Sequence, residues 1–156
     1  MHADAFRKLY AYHFAVNRKL WDEGISALSD AQFTQELAYS LGSVRNQVVH
    51  MVSVDERWFA GLRGVEVPDF LDPVHFPTRK MIRAHWDGVE ADMRAYLDAL
   101  TDETVRQPFH QFTTWQVLFH LLNHGTDHRA QLLAALAQLG APTTPQDYIK
   151  YVMGQI

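Results

Sequence analysis

The sequence has 156 residues, of which 47% are hydrophobic and 12% aromatic, and its formal net charge is −4. This apolar content is sufficient for a packed core, so the low-complexity and disordered classes are excluded. Lysine and arginine are scattered without a basic run, which argues against nucleic acid or an anionic membrane surface as the main partner.

The chain contains no cysteine, so it can form no disulfide, thiolate metal site or cysteine nucleophile. Its N-terminal stretch lacks the charged region and apolar segment of a signal peptide, and no run approaches the roughly 18 apolar residues of a membrane span. We therefore expect a cytoplasmic protein, and the length fits one domain over residues 1–156.

Apolar residues at steps of three and four predict a first helix over about residues 2–28, followed by a polar link over 30–41. Ser43 is a suitable N-cap for a second helix over about 43–63. Three prolines within 64–77 forbid a regular helix there, so this stretch is predicted to be a loop.

Thr78 is predicted to cap a third helix over about 78–100, and a second irregular connection follows over 101–112. A capping box that begins at Thr113 opens a fourth helix, which runs to about Leu139. These starts are predicted from side-chain chemistry as well as from periodicity, because each cap can accept a hydrogen bond from a free backbone N–H.

A short terminal helix is predicted over about 145–153, after Gly140 at the position of a C-terminal helix cap. The chain therefore contains four amphipathic helices of about 20–27 residues and no strand signal longer than a few residues. Such helices pack most naturally as an all-α four-helix bundle. Because two connections are long, crossovers are permitted and a simple up-and-down order is not required.

The fourth predicted helix carries His120, His124 and His128 at intervals of four, among apolar residues at helical spacing. Side chains four residues apart lie on one side of a helix, one turn apart, so two such imidazoles can share a metal ion. Each step of four also rotates the position by about 40°. One ion is therefore expected to be held by two of the three.

His50 lies in the apolar stripe of the second helix, so two helices each direct histidine inward. An imidazole without polar partners in an apolar seam costs on the order of 1–3 kcal/mol, and a shared divalent metal would satisfy several at once. We therefore predict His50, His124 and His128 as metal ligands. Three neutral imidazoles leave a fourth position open, which is typical of catalytic zinc, although nickel, iron, manganese and cobalt also suit imidazole.

Other residues near this pattern have simpler interpretations. His13 and His85 are predicted to be satisfied core histidines, and His120 to be a packing or proton-transfer residue rather than a ligand. Arg129 is predicted to lie on the helix surface or to bond between helices, with binding of an anionic substrate as the alternative. Asp127 is predicted to be a surface charge. Three tryptophans are predicted to belong to the core: Trp58, Trp86 and Trp115.

Several reaction classes lack their motif in this sequence. No HExxH occurs, so the zinc-protease pairing is absent, and no Glu-x-x-His pair indicates a di-iron site of the ferritin type. No GxSxG, Walker loop or GxGxxG is found either.

The fourth predicted helix contains the segment NHGTDHRAQLL, and the first two contain FAVNRKLWDEGISALSDAQF and SLGSVRNQVVHMVSVDERWFAGLRG. These segments resemble the DinB family (DinB/YfiT-like metalloenzymes), and the resemblance covers nearly the whole chain. It is most specific at His50, His124 and His128. Ala130 stands where glycine is common in the family.

The resemblance implies a four-helix bundle in up-down-down-up order, a three-ligand divalent metal site at those histidines, and frequent homodimers. Better-characterised members are metal-dependent transferases or isomerases that use small thiols such as bacillithiol, mycothiol or glutathione. Zinc or nickel is the metal expected, with iron, manganese and cobalt as alternatives. Because the chain has no cysteine, a reacting thiol would belong to a cosubstrate, whose pKa the metal would lower.

The function predicted is therefore a metal-dependent transferase that acts on a small molecule with a low-molecular-weight thiol as cosubstrate. No catalytic residue beyond the metal ligands is identified. A metal-dependent hydrolase that uses activated water is the closest alternative. Two further alternatives are a non-catalytic metal-binding stress-response module and a helical dimerisation domain without metal.

Overall fold

The computed structural model describes residues 2–156 and is mostly helical. Within this range there are seven α-helices: α1 (Ala3–Lys19), α2 (Asp30–Thr34), α3 (Val44–Arg63), α4 (Arg79–Ala99), α5 (Asp102–Arg106), α6 (Thr114–Gln138) and α7 (Tyr148–Val152). One antiparallel pair of two-residue strands joins α5 to α6: β1 (Pro108–Phe109) and β2 (Phe112–Thr113). The predicted all-α class is confirmed. No helix in residues 2–156 is both long and apolar enough to cross a membrane.

The first predicted helix differs from the structure in its last third. α1 ends at Lys19, and the chain continues through a π-helical turn, Leu20–Gly24, and a 3₁₀ turn, Ile25–Ala27. A Cβ at Gly24 would lie 2.8 Å from a Leu136 methyl group, so glycine permits the end of α6 to approach closely. Apolar spacing did not reveal this change because a π turn adds only one residue to an otherwise helical run.

The starts of the long helices agree with their predicted caps, with one exception. The Ser43 hydroxyl accepts the Asn46 N–H at 3.1 Å and caps α3. The predicted capping box opens α6, where the Gln116 side chain accepts the Thr113 N–H at 2.8 Å. Thr78 precedes α4 as predicted, but its side chain makes no capping hydrogen bond to the described residues.

Two connections predicted to be irregular contain short helices. α2 begins with a capping box between Ser29 and Gln32, and Thr101 caps α5. The terminal helix α7 is also shorter than the predicted 145–153. A five-residue helix has little more than one turn, so apolar periodicity cannot reveal it, whereas its cap residues can.

The helices α1, α3, α4 and α6 contact one another around a shared apolar core. α1 runs antiparallel to α4, since Arg7 donates to the Leu97 carbonyl at 3.1 Å and Arg18 pairs with Glu90 at 3.0 Å. The tryptophan prediction holds only in part. Trp86 is buried in the core, Trp58 is half-buried between α3 and α6, and Trp115 is 38% exposed, so the prediction for Trp115 is wrong.

Candidate metal centre

The three histidines predicted to bind metal meet in the groove between α3 and α6. The two helices run antiparallel, since Gln47 lies beside Gln131 and His50 beside His124. The ring centroid of His50 is 5.2 Å from that of His124 and 4.7 Å from that of His128, and the latter two are 4.2 Å apart. All three side chains are half-buried, so the cluster is open to solvent on one side.

The nitrogen positions fit a metal ion. Two nitrogens bound tetrahedrally to zinc at about 2.0–2.1 Å lie about 3.3 Å apart. Nε2 of His50 and Nε2 of His124 are 3.2 Å apart, and one nitrogen from each of the three rings lies within 4.8 Å of the others. No other histidine, cysteine, aspartate or glutamate in residues 2–156 joins this group. The chain therefore offers three nitrogen donors and leaves further coordination positions to other molecules.

Electrostatics keep these imidazoles neutral. Burial lowers the pKa of His50, and burial followed by the neighbouring His50 lowers that of His128. The pKa of His124 falls to about 4, because burial is reinforced by His128, His50 and His120 and only partly opposed by Asp127. A metal competes with protons for ligand nitrogens, and at neutral pH these nitrogens carry free lone pairs.

Gln47 supports the cluster from one side. Its amide nitrogen lies 2.5 Å from Nδ1 of His128 and 3.0 Å from Oε1 of Gln131, and the Ser40 hydroxyl donates to its amide oxygen at 3.0 Å. This contact occupies Nδ1 of His128, so Nε2 is the nitrogen available to a metal. A metal on Nε2 would leave a proton on Nδ1, so the Gln47 amide would have to turn its oxygen toward the ring to accept that proton.

His120 lies next to the cluster but outside it. Its ring centroid is 5.8 Å from that of His124 and 5.9 Å from that of Trp58, and its side chain is exposed. The rotation of about 40° per four residues accounts for this, because it carries His120 away from the side that faces His50. The structure therefore groups His124 and His128 with His50.

Arg129 is not on the surface, which was one of the two placements predicted for it. It is 1% exposed, and its guanidinium lies 3.1 Å from both Nδ1 of His13 and Oδ1 of Asn17 on α1. It also donates to Thr126 at 3.0 Å. Burial also argues against direct contact with an anionic substrate. Of the two readings, the interhelical hydrogen bond is the one observed.

His13 is a core histidine, as predicted, and is 1% exposed. Because a guanidinium only donates, Nδ1 of His13 must accept from Arg129, and its proton resides on Nε2. That N–H lies 3.0 Å from the Asn17 amide nitrogen, which is also a donor, so this contact is not a hydrogen bond in this tautomer, and it lies 4.0 Å from the buried Asp55 carboxyl. Burial, and then Arg129 and His124, hold the pKa of His13 well below its usual value.

Gly125 brings this buried polar cluster close to the metal ligands. A Cβ at position 125 would overlap Cε1 of His13 and lie 3.1 Å from a guanidinium nitrogen of Arg129. The backbone next to His124 is therefore packed directly against His13. His85, in contrast, is not a core residue, since it is half-buried and bonded to Glu56 at 3.0 Å.

Sequence reasoning missed Gln47 and Asp55. Both are polar residues in the apolar stripe of α3, three positions before and five after His50, and both are almost completely buried. A polar residue at a core position is a usable signal, because burial without a partner is costly. The signal does not identify the partner, which here lies on a different helix. Asp127 is exposed as predicted and accepts from Gln131 at 3.1 Å.

Comparison with known proteins gives one result at the level of the family. No curated protein matches the chain. The sequence profile of the DinB family matches residues 1–155, which is essentially the entire length. This match agrees with the resemblance at the three histidines, and the chain belongs to the DinB family.

Proposed function

We propose that this protein is a metal-dependent transferase in which His50, His124 and His128 hold a divalent ion and a low-molecular-weight thiol is the cosubstrate. The observation that carries the proposal is the convergence of three neutral imidazoles from two helices in a half-open groove. Zinc or nickel suits this donor set best, and iron, manganese and cobalt are compatible with it.

The charge of the ligand set favours an anionic partner. Three neutral imidazoles leave the double positive charge of the ion uncompensated, and no carboxylate in residues 2–156 joins the cluster. A bound divalent metal would supply Lewis acidity, which lowers the pKa of a thiol or of water at the open position. The absence of cysteine means that such a thiol must come from outside the chain.

The residues of the chain have separate tasks in this proposal. The half-buried histidines hold the ion and remain neutral because burial lowers their pKa values. Gln47 fixes the ring of His128 through its contact with Nδ1. The buried cluster around Arg129 fixes α6 against α1 and thereby the direction of both α6 ligands.

Metal-loaded protein incubated with glutathione and an alkyl or aryl halide tests the proposal, with thiol consumption measured against a protein-free blank. Conjugation that disappears on chelation and returns with zinc or nickel is expected. Hydrolysis of an ester without thiol consumption would instead favour the metal-dependent hydrolase. Full activity in protein that contains no metal would overturn both.

We also infer the up-down-down-up order of the four long helices. The pairing of α1 with α4 is antiparallel, and that of α3 with α6 is also antiparallel. α3 and α4 run in the same direction, since Glu56 pairs with His85 and Arg63 with Asp92. The homodimer and the cytoplasmic location stay predictions from the sequence, and sedimentation velocity of the purified chain would measure the first.

A further inference from the structure

A cavity of about 400 Å³ opens beside the three histidines at the Trp58 end of the α3–α6 groove. Its lining consists of Trp58, Phe112, Gln116, Val117 and His120. None of these five side chains is a lysine, arginine, aspartate or glutamate, so the cavity presents aromatic and aliphatic surface with few polar atoms. Volumes of about 300–1,000 Å³ are typical of small-molecule sites, and this one is at the lower end of that range.

The cavity is linked to the proposed metal centre through His120. Trp58 lies two turns after His50 on α3, and His120 lies one turn before His124 on α6. The His120 ring centroid is 5.9 Å from Trp58 on the cavity side and 5.8 Å from His124 on the metal side. The His120 imidazole therefore lies between the cavity and the cluster, and a molecule in the cavity would be one imidazole away from His124.

The aromatic walls present surface that a ligand could cover. Phe112 is 39% exposed and Trp58 is half-buried, and their ring centroids lie 6.2 Å apart at an angle of 65°. Such side chains favour another aromatic ring, through stacked or edge-to-face contacts and removal of apolar surface from water. The lack of charged lining disfavours an ionised ligand, because its desolvation would not be compensated.

We propose that this cavity is the subsite for the second substrate of the transfer, and that this substrate is a small uncharged electrophile carrying an aromatic ring. The assignment rests on the proposed thiol-transfer function. In the transfer, the thiol sulfur forms a bond to the electrophilic carbon while the bond to the leaving group breaks. The leaving group departs with the bonding electron pair, and the thiol proton passes to solvent.

Binding of a neutral aromatic probe tests the subsite without requiring turnover. The fluorescence of N-phenyl-1-naphthylamine is titrated with the zinc-loaded chain and again after chelation. Phe112→Ala is expected to weaken binding about fivefold or more in both forms, because one aromatic wall is lost. Phe119→Ala is the matched control, since Phe119 is also on this part of the chain, is 51% exposed and does not line the cavity.

The probe result decides the subsite by itself. If the Phe112→Ala and Phe119→Ala variants bind the probe with equal affinity, the subsite assignment is overturned, whatever the transferase activity. Trp58→Ala provides a second variant from the adjoining part of the wall and is expected to weaken binding of the probe to a similar extent. Thermal unfolding of each variant verifies that the chain remains folded.

The substrate class is tested by comparing two electrophiles with glutathione as the thiol. Phe112→Ala is expected to lower kcat/KM about tenfold for 1-chloro-2,4-dinitrobenzene, which loses chloride. For iodoacetamide, which loses iodide and has no aromatic ring, kcat/KM is expected to stay unchanged. Equal losses for both electrophiles would contradict an aromatic substrate. A wild-type chain that conjugates neither would contradict the proposed function, while the probe titration would still report on the cavity.

Discussion

Two neighbouring residues of α6, His128 and Arg129, belong to polar clusters with opposite properties. His128 faces α3 in a half-open groove, where three imidazoles approach one another. Arg129 faces α1 in the core, where His13 and Asn17 accept its hydrogen bonds. The histidine of the second cluster is fully enclosed by protein, whereas those of the first share a half-open groove with one another. That difference, rather than the residue type, separates a candidate ligand from a structural histidine.

The largest effect is expected from removing the buried charge. Arg129→Met should lower the free energy of unfolding by about 3–5 kcal/mol, because the partners of the guanidinium remain buried without it. Urea unfolding of the metal-free chain measures the loss, and Arg106→Met, at an exposed position, is the control. A loss of unfolding free energy below about 1 kcal/mol, the size expected for an exposed ion pair, would mean that the two clusters differ less in their contribution to stability than their burial indicates.

His124→Ala should abolish stoichiometric metal binding, with affinity weakened by more than about a hundredfold, because one of three donors is lost. Elemental analysis after dialysis and titration with a competing chelator would measure this. His75→Ala is the matched control, since His75 is exposed outside both clusters. If the metal content of the His124 variant equals that of wild type, these histidines do not form the metal site.

The carboxyl of Asp55 offers a comparison based on pH. Burial raises its pKa to about 7, partly opposed by Arg129, so the folded chain holds this proton more tightly than the unfolded chain does. This contribution to stability is complete below the ordinary value of 3.8 and is lost as the pH rises through about 7. Asp55→Asn should therefore gain stability relative to wild type by about 2 kcal/mol between pH 5 and pH 7.

Unfolding of the metal-free proteins at a series of pH values measures that difference. The histidines with lowered pKa values act in the opposite direction, since their contribution is lost as the pH falls below about 6.5. His124 and His128 are present in both proteins and cancel in the comparison, whereas His13 lies 4.0 Å from Asp55 and is the one whose pKa the substitution can change. A difference that is constant from pH 5 to pH 7 would show that Asp55 keeps one charge state throughout.

The smallest effect is expected at the edge of the open cluster. Gln47→Ala should weaken metal binding about tenfold while leaving one metal per chain, because only the support of the His128 ring is removed. Chelator competition measures the affinity. Arg45→Ala, on the same turn of α3, should have no effect, and equal losses in the two variants would indicate a general disturbance of the helix.

The sequence was most informative where chemistry and local geometry coincide. Ser43 and the Thr113 capping box identified the starts of α3 and α6, and spacing by four placed His124 and His128 on one side of a helix. It was least informative for partners on other helices. For Arg129 a surface position and an interhelical hydrogen bond were both left open, because its partners are more than 100 positions away on α1.

The contact between Gly125 and His13 has a consequence for how relatives of this chain can vary. No side chain larger than hydrogen fits at position 125 while an imidazole occupies position 13. Substitutions at the two sites should therefore occur together: homologues that replace the glycine should carry a smaller residue in place of the histidine. An alignment in which the two positions vary independently would contradict this coupling.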